Sequence, residues 1–368
     1  MSASPFAMCE GAVIPPGRST PAHYGNPFTE QRALLERGAI VDLSDHGVVE
    51  VTGDDRLTWL NSLTSQALTA LAPGESTEAL LLDATGHIEH VLRVLDDGVS
   101  TWLLVDPGSA VPLTRWLDSM RFRLRVDVSD RSDDLATVGV IGDRELPAAH
   151  PHGVRLVWND GWNQVADGGY QYAEGDHPAS QWRWREYLIE RTDLPALAVD
   201  VQTGELPIAG QLAVDALRVA AWRPAFLTEV DEHSIPHEVD WLRSAVHLNK
   251  GCYRGQETVA KVHNLGHPPR RLVLLHLDGS DNVRPETGAP VLSGHDRVGK
   301  VTIFAEHYEL GPIALALVKR TTDPGATLTV LVGDESIPAA QQIIVPPGAG
   351  ARANVPRLPR LGAVRRGS

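Results

Sequence analysis

At 368 residues the chain is long enough for two or three domains, and its 42% hydrophobic and 22% charged residues are those of a soluble globular protein. A net charge of −14 argues against broad electrostatic adhesion to nucleic acid or to an anionic membrane, so no direct nucleic-acid partner is expected. No apolar run reaches the length of a membrane span, and two cysteines, Cys9 and Cys252, cannot form a disulfide framework, which points to a reducing cytoplasm.

Residues 1–28 begin "MSASPFAMCEGAVIPPG", without the basic and apolar regions of a secretion signal, and are expected to form a flexible leader. A first α+β unit is expected over 29–144. In it "TEQRALLERGA" reads as a helix capped by Thr29, "GVVEVTG" as a strand, and "GDDRLTWLNSLTSQAL" as a helix with Leu57, Leu60 and Leu63 at helical spacing. "EALLLD", "HIEHVLRVL" and "VSTWLLVD", separated by the turns "ATG" and "DDG", predict a β-meander, followed by the helix "AVPLTRWLDSMR" and the strands "RLRVDVSD" and "LATVGVIG". Short turns between strands imply antiparallel pairing, hence α+β rather than a doubly wound sheet. A second α+β unit, 145–267, has "GVRLVWND" as a strand and "SQWRWREYLIERT" and "AGQLAVDALRVAAW" as helices. Over 268–345 the texture becomes short strands with Gly, Pro and Asp turns, which predicts a small antiparallel barrel. Residues 346–368 are expected to be a disordered basic tail, with five arginines from Arg352 to Arg366.

Two motifs invite chemistry and are set aside. "GHDRVGKV" at 294–301 spaces Gly294, Gly299 and Lys300 like a phosphate loop, but Val301 stands where the hydroxyl belongs and the stretch lies among strands, so it reads as a β-turn. His233, His237 and His247 lie near one another, but Pro236 breaks the helix that would align the first two and no second cysteine is near, so no metal site is expected.

The stretch "NKGCYRGQETVAKVHN" from Asn249 carries more. Gly251 and Gly255 permit a tight turn, and a helix is expected from about Gly255, with Glu257 in its first turn. A thiol just before a helix N-terminus, flanked by Lys250 and Arg254, stands where a thiolate is favoured. A lone cysteine is also, commonly, a small buried apolar group, and the residues alone leave the choice open. His247 and His263 are candidate bases by proximity only. Nine tryptophans against five phenylalanines is unusual; Trp59, Trp182, Trp184, Trp222 and Trp241 fall near predicted helix faces or turns and offer flat walls for a heterocycle.

The segment "KGCYRGQE", 250–257, resembles the signature of the YgfZ-type folate-binding proteins, relatives of the aminomethyltransferase (T-protein) of glycine cleavage. The surrounding stretches "VTGDDRLTWLNSLTSQAL" (51–68), "LLLDATGHIEHVL" (80–92), "DALRVAAWRPAF" (215–226), "IPHEVDW" (235–241) and "VGKVTIFAEHYELGPIALALVKR" (298–320) agree, so the resemblance covers about residues 30–345. It implies an aminomethyltransferase-like folate-binding fold: two mixed α/β units around a folate pocket and a C-terminal antiparallel β-barrel. It implies tetrahydrofolate or a derivative as cofactor, and a role in assembling or repairing the iron–sulfur clusters of client enzymes, tRNA-modifying ones among them. The functional cysteine carries over to Cys252, and Lys250, Gly251, Tyr253, Gly255, Gln256 and Glu257 match the rest of the motif.

The aminomethyltransferases carry an acidic pair after a Gly-x-Ile turn, where this chain has Glu89 and His90; their Gly-Tyr-Thr-Gly-Glu segment is echoed only by "DGGYQYAE" at 167–174. A pterin needs a carboxylate opposite its amidine-like edge and aromatic walls, and its glutamate tail needs a cation. Glu238, Trp222 and Arg218 are the expected pocket residues. Three functions stay open: a cytoplasmic, monomeric folate-binding accessory to iron–sulfur enzymes or their assembly factors, a tetrahydrofolate-dependent methyl- or aminomethyltransferase, and a non-catalytic scaffold that docks client enzymes.

Overall fold

The computed structural model describes residues 4–280 and 283–353. The expected meander forms as read: Ser76–Leu82, Ile88–Asp96 and Ser100–Val105 pair antiparallel, and Gly47–Thr52 and Asp127–Asp130 extend the sheet to five strands. Strand alternation gives this sheet two different faces. Ala79 and Leu81 pack under the helices Arg56–Leu63 and Ala110–Met120, together with Trp59, Leu60, Leu113 and Leu117. Leu80 and Leu82 point to the other side, into the central core of the molecule.

A second five-stranded sheet takes the order Ile208–Ala209, Ile40–Leu43, Leu135–Ile141, Trp184–Glu190, Val157–Asn159. Its first two strands run parallel and the rest antiparallel. Because it takes Ile40–Leu43 and Leu135–Ile141 from the first expected unit, the two sheets do not divide at residue 144. The segment 180–192, expected to be a helix, instead supplies the strand Trp184–Glu190. Paired with Leu135–Ile141, it turns alternate side chains to opposite faces: Trp184 and Leu188 join the central core, while Tyr187 and Ile189 join a cluster on the other side. The helix Gln211–Ala220 matches its expectation and buries Ala213, Val214, Ala216 and Leu217.

The C-terminal strands close a six-stranded antiparallel barrel in the order Arg270–Leu277, Gly311–Lys319, Asp296–His307, Pro290–Ser293, Leu328–Val332, Glu335–Ile343. Ser293 faces Asp296 across a hairpin turn, so "GHDRVGKV" is a turn of this barrel. The fold is thus the mixed α/β arrangement with a C-terminal barrel.

Both ends depart from expectation within the described residues. The leader is packed: Phe6 and Cys9 are buried against Ile40 and Val138, and Val13 bridges His23. At the other end Ala349 is buried, and the amides of Ala351, Arg352 and Ala353 donate to the carbonyls of Val262, His263 and Asn264. The rest of the expected tail, 354–368, lies outside the described residues. Among the described residues no helix is long and apolar enough to cross a membrane.

Candidate functional site

The motif loop leads into the helix Gln256–Asn264, whose N-cap is Gly255 with φ 83°. That left-handed backbone is where glycine is favoured, and space reinforces the choice. A Cβ on Gly255 would lie 2.7 Å from the Asp83 carbonyl oxygen, and one on Gly86 would lie 2.7 Å from the Thr258 Cβ. The helix start is thereby seated on the turn that joins the first two meander strands.

Cys252 is exposed and reduced, and it makes no hydrogen bond to a described residue. The two cations expected to favour its thiolate are engaged elsewhere. Lys250 Nζ donates to the carbonyls of Asn61, Thr64 and Gln66 at 2.6, 2.7 and 2.7 Å, and burial pulls its ammonium pKa down to about 8. Arg254 pairs with Glu89 at 2.6 Å and lies over the Trp116 ring. Lys250 therefore anchors the loop to the C-terminal end of the helix Arg56–Leu63, and Arg254 anchors it to the first sheet. Tyr253 is buried beneath Lys250, whose Nζ lies 5.1 Å from the ring centroid. Gln256 lines a separate hollow with Tyr170 and His263, whereas Gly251 and Glu257 are exposed.

The central cavity, about 180 Å³, lies between the two sheets and the helix Gln211–Ala220. Trp158, Trp182, Trp184 and Trp241 contribute indoles to its lining, and Glu78, Arg93, Asp160, Glu186 and Arg223 contribute charge. Arg223 is saturated: it reaches Glu78 at 2.7 and 3.2 Å and Asp160 at 3.0 Å. Arg93 and Glu186 are not. Arg93 approaches Glu186 at 3.3 Å and Asp106 at 3.1 Å, yet its Nε and Nη2 and the Glu186 Oε2 are buried without hydrogen-bond geometry. His46 Nδ1 and Trp241 Nε1, also on residues lining the cavity, are buried and unpartnered too. Burial raises the Glu186 carboxyl above the usual range, against the pull of Arg93, and holds the His46 imidazole neutral, reinforced by the charges of Arg93 and Arg18. A buried unsatisfied polar group costs about 1–3 kcal/mol; Arg93 and Glu186 offset part of that as an ion pair, and His46 and Trp241 keep hydrogen-bonding capacity beside the same cavity. Indoles and the Glu186 carboxyl thus line one cavity, the residue types that a flat polar heterocycle uses for its faces and its donor edge.

The expected pocket residues are only partly here. Arg218 lines the cavity, but its guanidinium is taken by Asp215, Thr228, Glu229 and the Arg223 carbonyl. Trp222 is buried edge-on to His177 and is not among the lining residues. Glu238 is fully buried and accepts from Arg270 and the Ile235 amide, fastening the barrel to the segment before the motif. Glu186, not Glu238, is a carboxyl that lines this cavity. Its signal in the sequence is the alternation of "WRWREYLIE", read there as a helix. Glu89 is spent on Arg254, and His90 stacks at 6.2 Å on Phe226, a cavity residue.

Next to Trp241, Asp240 holds φ 59° and accepts from the Tyr172 amide at 2.7 Å, while its Oδ2 is buried without a partner. Burial pushes its carboxyl from 3.8 up to about 7. Folding therefore takes up a proton in that window, so Asp240 favours the fold in acid and opposes it increasingly as pH rises through about 7. Asp240→Asn keeps the acceptor and tolerates the left-handed backbone. It is expected to stabilise the protein by at least about 1 kcal/mol at pH ~8 and by much less at pH ~5, as read by thermal unfolding at both values.

Comparison with known proteins follows the same outline. The GCVT N-terminal domain matches residues 19–146, and the glycine cleavage T-protein C-terminal barrel domain matches 270–343. The aminomethyltransferase of Symbiobacterium thermophilum is 26% identical over 313 residues, 78% of this chain and 79% of its own. That of Thermotoga maritima is 26% identical over 329 residues, 86% of this chain and 87% of its own. The crystal structure of the glycine cleavage system aminomethyltransferase T from Bartonella henselae, 17% identical, has the same fold, with a TM-score of 0.71 over 90% of this chain and 92% of that one.

Proposed function

We propose, for a chain that carries both domains of the glycine-cleavage T-protein family, that it binds tetrahydrofolate or a derivative in the central cavity and presents Cys252 to iron–sulfur client enzymes. The observation that carries the folate reading is the group of unsatisfied polar atoms on His46, Arg93, Glu186 and Trp241 around one indole-lined cavity. The Glu186 carboxylate faces the amidine-like edge of the pterin, and the indoles flank its ring and exclude water. Bound folate supplies a one-carbon carrier; the residues of this chain hold and orient it.

The accessory role rests on the motif. An exposed thiol on a loop pinned by Lys250, Arg254 and Gly255 is placed to touch a client protein or to ligate a cluster in transit. The protein acts as a cytoplasmic monomer in this reading. Cys252→Ala is expected to bind tetrahydrofolate within about twofold of wild type and to fail to restore iron–sulfur enzyme activity in a strain lacking this protein. Full restoration by that variant contradicts the role of the thiol.

Aminomethyl transfer is the second reading, favoured by the names of the relatives. It requires a one-carbon folate product when the protein is incubated with tetrahydrofolate and a methylated amine; no product with any donor removes it.

A further inference from the structure

We infer that Arg18, from the segment that precedes the matched N-terminal domain, selects ligands that carry an anionic tail. This rests on the folate reading above and names the part of the ligand that the cavity does not enclose.

Four arginines line the cavity, and three are buried inside it: the side chains of Arg93, Arg218 and Arg223 are 13%, 8% and 9% exposed. Arg18 is 35% exposed, so among the described residues it is the lining guanidinium that stands where the cavity meets solvent. Its direction is fixed. Nε and Nη2 lie 3.1 and 3.0 Å from one oxygen of the buried Asp45, which also accepts from Thr20 at 3.1 Å. Nη1 engages no described residue.

The segment that carries Arg18 is held firmly. Val13 and His23 form a bridge, and the amides of Gln211 and Leu212 donate to the carbonyls of Pro21 and Ala22 at the start of a helix that itself lines the cavity. Of the other carboxylates, Asp106 is ion-paired with Arg93 and Asp215 bonds Arg218 and Gln211, while the second oxygen of Asp45 is buried without a hydrogen-bond partner. In this inference a head group whose donor edge faces Glu186 leaves its substituent to run toward solvent, where Arg18 is the exposed lining guanidinium. There the free edge of Arg18 meets a carboxylate, forming the charge-assisted hydrogen bond that a planar guanidinium favours.

The test is calorimetric titration of the full chain, under argon, with tetrahydrofolate and with 6-methyltetrahydropterin, which has the head but no tail. Arg18→Gln keeps a donor for Asp45 and removes the charge. It is expected to weaken tetrahydrofolate about tenfold to a hundredfold and to leave 6-methyltetrahydropterin within about twofold; Arg18→Lys recovers part of the loss. Equal weakening of both ligands, or of neither, overturns the inference. Wild type that binds neither ligand overturns the folate reading itself.

Discussion

Arg223→Met is expected to destabilise the protein by about 3–5 kcal/mol, a large share of the roughly 5–15 kcal/mol that holds a typical domain together. The side chain is buried, its guanidinium spans Glu78 and Asp160, and it lies 5.2 Å from the Trp162 centroid. Methionine fills much of the volume but strands two buried carboxylates. Ser244 would still donate to Glu78 and Trp182 to Asp160, yet neither supplies a charge. Urea unfolding measures the loss, and a shift below about 1 kcal/mol would show that the carboxylates find other partners or water. Adding Glu78→Gln and Asp160→Asn to Arg223→Met is expected to recover part of the stability, because the penalty lies in the unpaired charges.

Glu186→Gln is expected to weaken tetrahydrofolate binding about tenfold to a hundredfold, with a much smaller effect on stability than Arg223→Met. Glutamine still accepts from Trp184 Nε1, at 3.0 Å in the native protein, and Arg93 keeps Asp106. What it loses is the charge that a donor edge would meet. Calorimetry separates the two effects: unchanged affinity would mean that this carboxylate does not face the ligand.

How much of this was legible beforehand depends on whether the signal was local. Turns at "ATG" and "DDG" and the leucine spacing of "GDDRLTWLNSLTSQAL" are short-range patterns; the meander formed where they predicted, and the helix formed within its stretch but ended at Leu63. The barrel was legible for the same reason. "SQWRWREYLIERT" misled because its apolar residues suit either period, and pairing with Leu135–Ile141 decided for a strand. The cavity left no local trace: Glu78, Arg93, Glu186 and Arg223 meet only in three dimensions. Lys250 and Arg254 teach a related lesson. Both flank Cys252 in sequence, but a loop residue can turn its side chain away from its neighbour, and these two reach Asn61, Thr64, Gln66 and Glu89 instead. Arg218, Trp222 and Glu238 had suitable chemistry on nearby elements, yet only Arg218 reaches the cavity.

A crystal structure of the protein grown with tetrahydrofolate tests the central claim most directly. The pteridine is predicted to lie in the central cavity against the tryptophans, with its amidine-like edge on Glu186 and its tail leaving past Arg18. Folate seated instead in the hollow beside Tyr170 and His263, or a central cavity left without ligand at saturating folate, would contradict it.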